Sequence, residues 1–388
     1  MTNLEAKIQG HLEFIYGSET ASTVLPQIQA RLADFQRRHP ALGTALPPGE
    51  RVTERDAILI TYGDQIREPS RSPLQSLAEV FGENLSGVVS GVHLLPFYPY
   101  TSDDGFSVVD YLQVDPDAGD WSDLELLRQN FRLMFDAVIN HISASSRWFQ
   151  GFVAGDPAYA NYFITEDPAT NLSAVTRPRT LPLLTPVDTA NGQQHVWTTF
   201  SPDQIDLNYS HPPVLLEIID VLLFYVAHGA ELIRLDAIAF MWKEVGTTCI
   251  HLPHTHRIIQ LFRTILDAVA PNVLLITETN VPHAENLSYF GDGQNEAQLV
   301  YQFSLAPLML HTFYTGDATV LKNWADGLEQ LPDTATFFNF IASHDGIGLR
   351  PVEGILTPEE VQTLADYTLR HGGQVSYKSN PDGSQSPY

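Results

Sequence analysis

The sequence predicts an α/β fold, on three observations. Short apolar runs, each closing on polar residues, alternate with helix-like stretches, which argues for α/β rather than separate α and β blocks. The runs are continuously apolar, as in parallel strands buried on both faces. They recur at 57–64, 88–99, 131–141, 230–237, 273–280, 299–304 and 335–345. Seven such strands fit a (β/α)8 TIM barrel with one strand missing; a doubly wound sheet is the competing arrangement.

The chain of 388 residues opens on helical spacing. Val24, Leu25, Ile28, Leu32 and Phe35 recur at the period of a helix over 22–38, and 4–16 reads similarly. Residues 1–56 are therefore expected to be a helical N-terminal segment, closing in the loop LGTALPPGE. The catalytic barrel is expected over 57–141 and 206–388, with helices at 73–82, 122–130, 213–228, 256–269, 317–329 and 358–371. Residues 142–205, rich in Pro, Thr and Asn, break the rhythm and read as an insertion domain after the third strand. After 371 the chain runs into Gly, Ser, Asn and Pro, and no eighth strand follows. An open barrel would expose two strand edges, so the sequence is expected to be a C-terminally truncated piece of a longer protein.

Composition bounds the function. Hydrophobic residues at 44% and charged residues at 17% make a globular chain. Acidic residues number 46 against 21 basic, a formal charge of −25, and no basic run appears. A nucleic-acid partner is therefore not expected. No apolar run approaches the ~20 residues of a membrane helix. The start, MTNLEAKIQG, lacks the regions of a signal peptide. Cys249 is the single cysteine, which excludes an internal disulfide framework. A cytoplasmic protein is the expectation. The sequence is silent on oligomeric state.

Barrel enzymes carry their chemistry at the C-terminal ends of the strands. There the third run offers Asp136, Asn140 and His141, the fourth Arg234 and Asp236, the fifth Glu278, and the seventh His344 and Asp345. Arg234 and Asp236, two apart on a strand, face the same side, so the arginine can hold its neighbour ionised. Two carboxyl groups are the minimum kit for glycosyl transfer: an ionised one attacks the anomeric carbon and a protonated one serves the leaving oxygen.

At these residues the sequence resembles glycoside hydrolase family 13, the α-amylase family. DAVINH (136–141), GAELIRLDAIAF (229–240), ITETN (276–280) and FIASHDG (340–346) are similar to its four conserved regions, in order, and QIDLN (204–208) to a further motif. The resemblance covers roughly 57–388. It implies Asp236 as nucleophile, Glu278 as acid/base, and Asp345, beside His344, as the residue stabilising the transition state. Retention of configuration would place the Asp236 and Glu278 carboxyls about 5–5.5 Å apart.

Finer features resemble the sucrose phosphorylase branch: SDDGF (102–106), WTTFSPDQIDLN (197–208), RLDAIAFMWKE (234–244) and SHDGIGL (343–349). The likeness implies that Asp103 and His141 hold glucosyl hydroxyls, that Phe106 packs on the sugar ring, and that Phe200 and Gln204 line the site. Phe240 stands where sucrose phosphorylases usually carry Tyr. TRPRTLP (176–182) also resembles that branch, and its Arg179 would grip an anionic group on the acceptor side, for which a guanidinium is suited. The run 239–256 is closer to glucosylglycerate phosphorylases. Its His251, His254 and His256 lack the i, i+4 spacing of a helical metal pair. Some amylases hold calcium through an Asn matching Asn140, but the phosphorylase branch generally does without it. No metal and no cofactor are expected, with inorganic phosphate as co-substrate.

The implied activity is a retaining α-glucoside phosphorylase that moves a glucosyl unit from sucrose or a related glucoside to phosphate. The catalytic residues leave open an α-glucosidase, amylase-type hydrolase or transglycosylase, since only the acceptor differs. An inactive carbohydrate-binding fragment is the alternative from another class. Fructose, fructose 6-phosphate, glycerol and glycerate all stay open as the acceptor.

Overall fold

The computed structural model describes residues 2–179, 181–379 and 385–387. They form two compact units, 1–277 and 278–388.

The first unit opens with helices α1 (Asn3–Tyr16) and α2 (Ser18–Arg38). Thr2 and Glu5 close a reciprocal capping box on α1, satisfying two of the N–H groups a helix start leaves unpaired. Gly17 turns the chain between the helices at φ +80°, a conformation an L side chain resists. One apolar stripe on each helix is buried: Ile8, Leu12 and Ile15 on α1, and Val24, Ile28, Leu32 and Phe35 on α2. A single turn, α3 (Pro48–Arg51), follows.

The parallel sheet then begins: β1 (Ile58–Thr61), α4 (Pro73–Leu85), β2 (Gly91–Leu94), α5 (Trp121–Arg128) and β3 (Arg132–Ala137). The run 131–141 does not stay one strand. It ends at Ala137 and resumes as β4 (His141–Ser143), which leads into α6 (Arg147–Val153) and the antiparallel hairpin β5 (Leu184–Thr189) and β6 (Gly192–Trp197). β7 (Gln204–Asp206) returns antiparallel to β4, with His141 opposite Asp206. Helix α7 (Pro212–Ala227), β8 (Ala230–Leu235), α8 (Pro253–Val269) and β9 (Leu274–Thr277) complete the unit. Its parallel strands lie in the order β1, β2, β3, β8, β9. Each β-to-β step crosses over outside the sheet, which is why α7 is largely apolar and buried and β8 is apolar except at Glu231 and Arg234. Helix α1 packs on α8, and α2 on α7 and α8.

The second unit holds α9 (His283–Leu287), β10 (Leu299–Tyr301), α10 (Leu305–Thr315), α11 (Thr319–Asp326), β11 (Thr336–Phe338), α12 (Pro358–Arg370), β12 (Tyr377–Ser379) and β13 (Gln385–Pro387). β10 and β11 are parallel; β12 and β13 pair antiparallel. Leu308, Leu349, Val352, Leu356 and Leu364 form a core beneath α10 and α12. The run 335–345 yields only three strand residues, Thr336–Phe338. Among the described residues, no helix is long and apolar enough to cross a membrane.

Candidate active site

In the first unit the site grows from the neighbouring strands β2, β3 and β8. Register puts Asp136 directly beside Arg234. Arg234 Nη1 donates to Asp136 Oδ1 at 2.5 Å and to Asp236 Oδ1 at 2.8 Å. On the other side of Asp136, His93 Nε2 lies 2.7 Å from Oδ2. Asp136 is the last residue but one of β3, at the strand end expected of it, and is fully buried there. Burial alone pushes its carboxyl up, but His93 and Arg234 together outweigh that and leave it below the usual carboxylate range. Arg234, 2% exposed, is thus a fixed cation between two carboxylates. Its guanidinium carbon lies 5.6 Å over the Phe106 ring, within cation–π reach.

Asp236 follows β8 directly, its N–H donating to Ala137 O at 3.2 Å. The next residue, Ala237, has φ +48° and bends the chain into a short turn, Ile238–Phe240. Such non-glycine strain persists only where the surroundings over-determine it. Here it leaves Asp236 at the strand end and carries Phe240 sideways.

A second group centres on Asp103. Asp103 and Asp104 both take positive φ, and Gly105 follows at φ +105°. A Cβ on Gly105 would sit 2.7 Å from Pro96 O, so the turn requires glycine. Gln204 Nε2 donates to Asp103 Oδ2 at 2.9 Å and to Phe106 O at 3.1 Å. His141 Nε2 donates to the same carbonyl at 2.8 Å, while Nδ1 accepts from Asn140 Nδ2 at 3.2 Å. That network assigns a neutral His141 protonated on Nε2, and burial lowers its pKa in agreement. Phe200 stands 5.3 Å from the His141 ring and meets Phe240 edge-on at 5.6 Å. Arg179 reaches in from the connection before β5 and pairs with Asp103, Nη2 to Oδ2 at 3.1 Å.

Beneath these lies a polar cluster that motif reading left aside. The Lys243 ammonium donates to Asn140 Oδ1 at 2.9 Å and pairs with Asp206. Asp206 also accepts from Thr199 N at 2.8 Å and Thr199 Oγ1 at 2.6 Å. A fixed cation therefore already engages the Asn140 oxygen. His93, Asp206, Thr199 and Lys243 were the residues missed. Asp206, Thr199 and Lys243 lie inside the motifs QIDLN, WTTFSPDQIDLN and RLDAIAFMWKE, which gave them no role, and His93 is a polar residue set inside an apolar run. Of the three histidines read as loop residues, only His251 precedes α8; His254 and His256 lie in its first turn, and His254 lies flat on Trp242, ring centroids 4.2 Å apart and 10° from parallel.

The first unit thus brings together Asp103, Phe106, His141, Arg179, Phe200, Gln204, Arg234, Asp236 and Phe240. The remaining candidates lie in the second unit. Glu278, half-buried, follows the last residue of β9 in the chain. His344 Nε2 is 3.4 Å from Asp345 Oδ1, with the Asp345 side chain 61% exposed.

Residues 87–346 match the family described as "Alpha amylase, catalytic domain". The chain is 57% identical to a glucosylglycerate phosphorylase of Allomeiothermus silvanus, covering 98% of this chain and 67% of the relative. It is 48% identical to a glucosylglycerate phosphorylase of Escherichia coli, covering 99% and 68%. The chain thus spans about two thirds of the length of these curated relatives. A crystal structure of sucrose 6F-phosphate phosphorylase from Thermoanaerobacter thermosaccharolyticum shares the fold with a TM-score of 0.76 at 24% identity, over 89% of this chain and 70% of that one. The fold class is a partial (β/α)8 barrel. The chain belongs to the α-amylase family, glycoside hydrolase family 13, within its branch of glycosyl-transferring phosphorylases.

Proposed function

We propose that the protein is a retaining glucosylglycerate phosphorylase. The observation that carries the reading is the Arg234 guanidinium shared between Asp136 and Asp236. An adjacent fixed cation favours the ionised form of Asp236, and an ionised carboxylate is what attack on an anomeric carbon needs. In the proposed reaction Asp236 attacks that carbon while Glu278 gives its proton to the departing glycerate oxygen. The C–O bond to the leaving group breaks as the bond to Asp236 forms, giving a β-glucosyl-enzyme. Phosphate then attacks the same carbon, Glu278 takes its proton, and Asp236 leaves. Two inversions yield α-glucose 1-phosphate. Asp345 and His344 are assigned to the charge and hydroxyls of the transition state.

Arg179 is assigned to the anion on the acceptor side, glycerate or phosphate. A guanidinium matches either in a bidentate grip. The similarity to relatives named glucosylglycerate phosphorylase supports glycerate over fructose.

The test is α-glucose 1-phosphate release from glucosylglycerate and from sucrose, each with and without phosphate. Phosphate-dependent product, faster from glucosylglycerate, is expected. Free glucose at the same rate without phosphate would make the protein a hydrolase. No turnover by a cooperatively folded protein would favour a binding role. Asp236→Ala should reduce turnover by at least about 10⁴-fold, as loss of a nucleophile does elsewhere.

A further inference from the structure

The loop between β8 and α8 is held from two sides. On one side, the N-terminal helix α1 places Phe14 5.2 Å from the His254 ring, and His254 stacks on Trp242. The Arg257 guanidinium lies 4.6 Å over the other participant, Phe14, and also approaches His11 Nδ1 at 3.4 Å. His11 Nε2 in turn meets Thr264 Oγ1 at 3.1 Å, so α1 is fastened along α8. Phe14 is 44% exposed, so core burial does not account for the position of its ring.

On the other side, the same loop supports the segment that carries Arg179. Cys249 packs among Leu172, Val175, Leu183 and Trp197. Thr176 N donates to Thr248 O at 2.9 Å, three residues before Arg179. The loop's backbone is strained, with Cys249 at φ +51° and His251 at φ +55°. Strain of this kind needs neighbours to maintain it. Phe240 and Lys243 leave the same loop for the site itself.

We propose that α1 positions the acceptor side of the active site, with Phe14, His254 and Trp242 as a ring stack that fixes the 241–252 loop and, through it, Arg179. These are positioning residues; none touches the reacting atoms. The proposal rests on the phosphorylase reading above.

The test compares Phe14→Ala, Phe14→Tyr, His254→Ala and His254→Phe with the unmodified protein. The alanine variants should raise the KM for phosphate about 3- to 10-fold, the reach of one aromatic pair. KM for glucosylglycerate should rise with it, because its glycerate carboxylate meets the same guanidinium, whereas KM for sucrose and the slow phosphate-free turnover of sucrose should change less than about twofold. The ring-preserving variants should restore the phosphate KM. Amide hydrogen exchange over 244–251 and 172–179 should speed up in Phe14→Ala and recover in Phe14→Tyr, a readout that survives if turnover is weak. Unaltered phosphate KM and exchange in the alanine variants overturn the proposal, as does a parallel fall of every constant with the melting temperature. Unmodified protein whose products ignore phosphate overturns the phosphorylase reading instead, while the exchange comparison still tests the mechanical link.

Discussion

Arg179 Nη2 lies 3.1 Å from Asp103 Oδ2, joining the residue assigned to the acceptor anion to one assigned to the glucosyl unit. The pair is half exposed, and such pairs contribute only about 0.2–1 kcal/mol to stability. An incoming phosphate or glycerate therefore competes for Arg179 against a weak partner. Arg179→Ala should leave the melting temperature almost unchanged. It should raise the KM for phosphate about 10- to 100-fold, as a lost charge-assisted bond of about 1.5–3 kcal/mol implies. Steady-state kinetics at varied phosphate check this, and an unmoved KM would remove Arg179 from the acceptor side.

Asp136 occupies the opposite regime. It is fully buried and bonded to both His93 and Arg234. Asp136→Ala removes the carboxylate that His93 meets and one of the two that Arg234 bonds, and breaking a buried ion pair costs about 3–5 kcal/mol. Because the folded carboxyl titrates below its ordinary value, the unfolded state takes up its proton first as pH falls. The stability that Asp136 supplies is therefore present above about pH 4 and lost on acidification through the folded value. Urea midpoints should drop in Asp136→Asn at neutral pH, and the gap to the unmodified protein should narrow towards acid. A constant gap across that window would mean that the charge of Asp136 is not what matters.

How far these contacts were legible depends on their span in the chain. Arg234 and Asp236 are two residues apart, so strand alternation alone put both on one side, and they share a bond of 2.8 Å. The helix 22–38 was legible from its apolar period and 358–371 as a helix-like stretch, and they lie at Ser18–Arg38 and Pro358–Arg370. Asp136 reads as a strand-end acid and lies one residue from the end of β3, but a polar residue in an apolar run does not tell that it is fully buried. Its burial follows from the β3–β8 register that sets it against Arg234. Arg179 and Asp103 are 76 residues apart, and Lys243 and Asn140 are 103 apart. Contacts of that span follow from register and loop path, which no local pattern encodes.

Lys243 and Asp206 form a buried ion pair inside a cluster with Asn140 and Thr199. Lys243→Met should destabilise by about 3–5 kcal/mol, because it removes the cation paired with a fully buried carboxylate. Lys243→Met combined with Asp206→Asn should recover part of that loss, since both charges then leave together. A double-mutant cycle in urea checks it; strict additivity would mean that the two side chains do not interact. The same Lys243→Met variant should lower turnover, as Asn140 also holds the His141 ring through Nδ1.

His11 links α1 to α8 and offers a pH test of that seam. Burial first, then Arg257 and Lys7, push its pKa down from 6.5 to about 4. The folded protein therefore keeps His11 neutral where the unfolded chain already binds a proton. Stability from this residue is full above about pH 6.5 and falls as pH drops towards about 4. His11→Gln, which keeps a polar side chain but cannot titrate, should flatten the pH dependence of the melting temperature between those values. The unmodified protein should lose α1 protection to hydrogen exchange at pH 5 before its parallel sheet does. Equal pH dependence in the two proteins would show that His11 remains protonatable in the folded state and that the α1–α8 seam is not acid-sensitive through it.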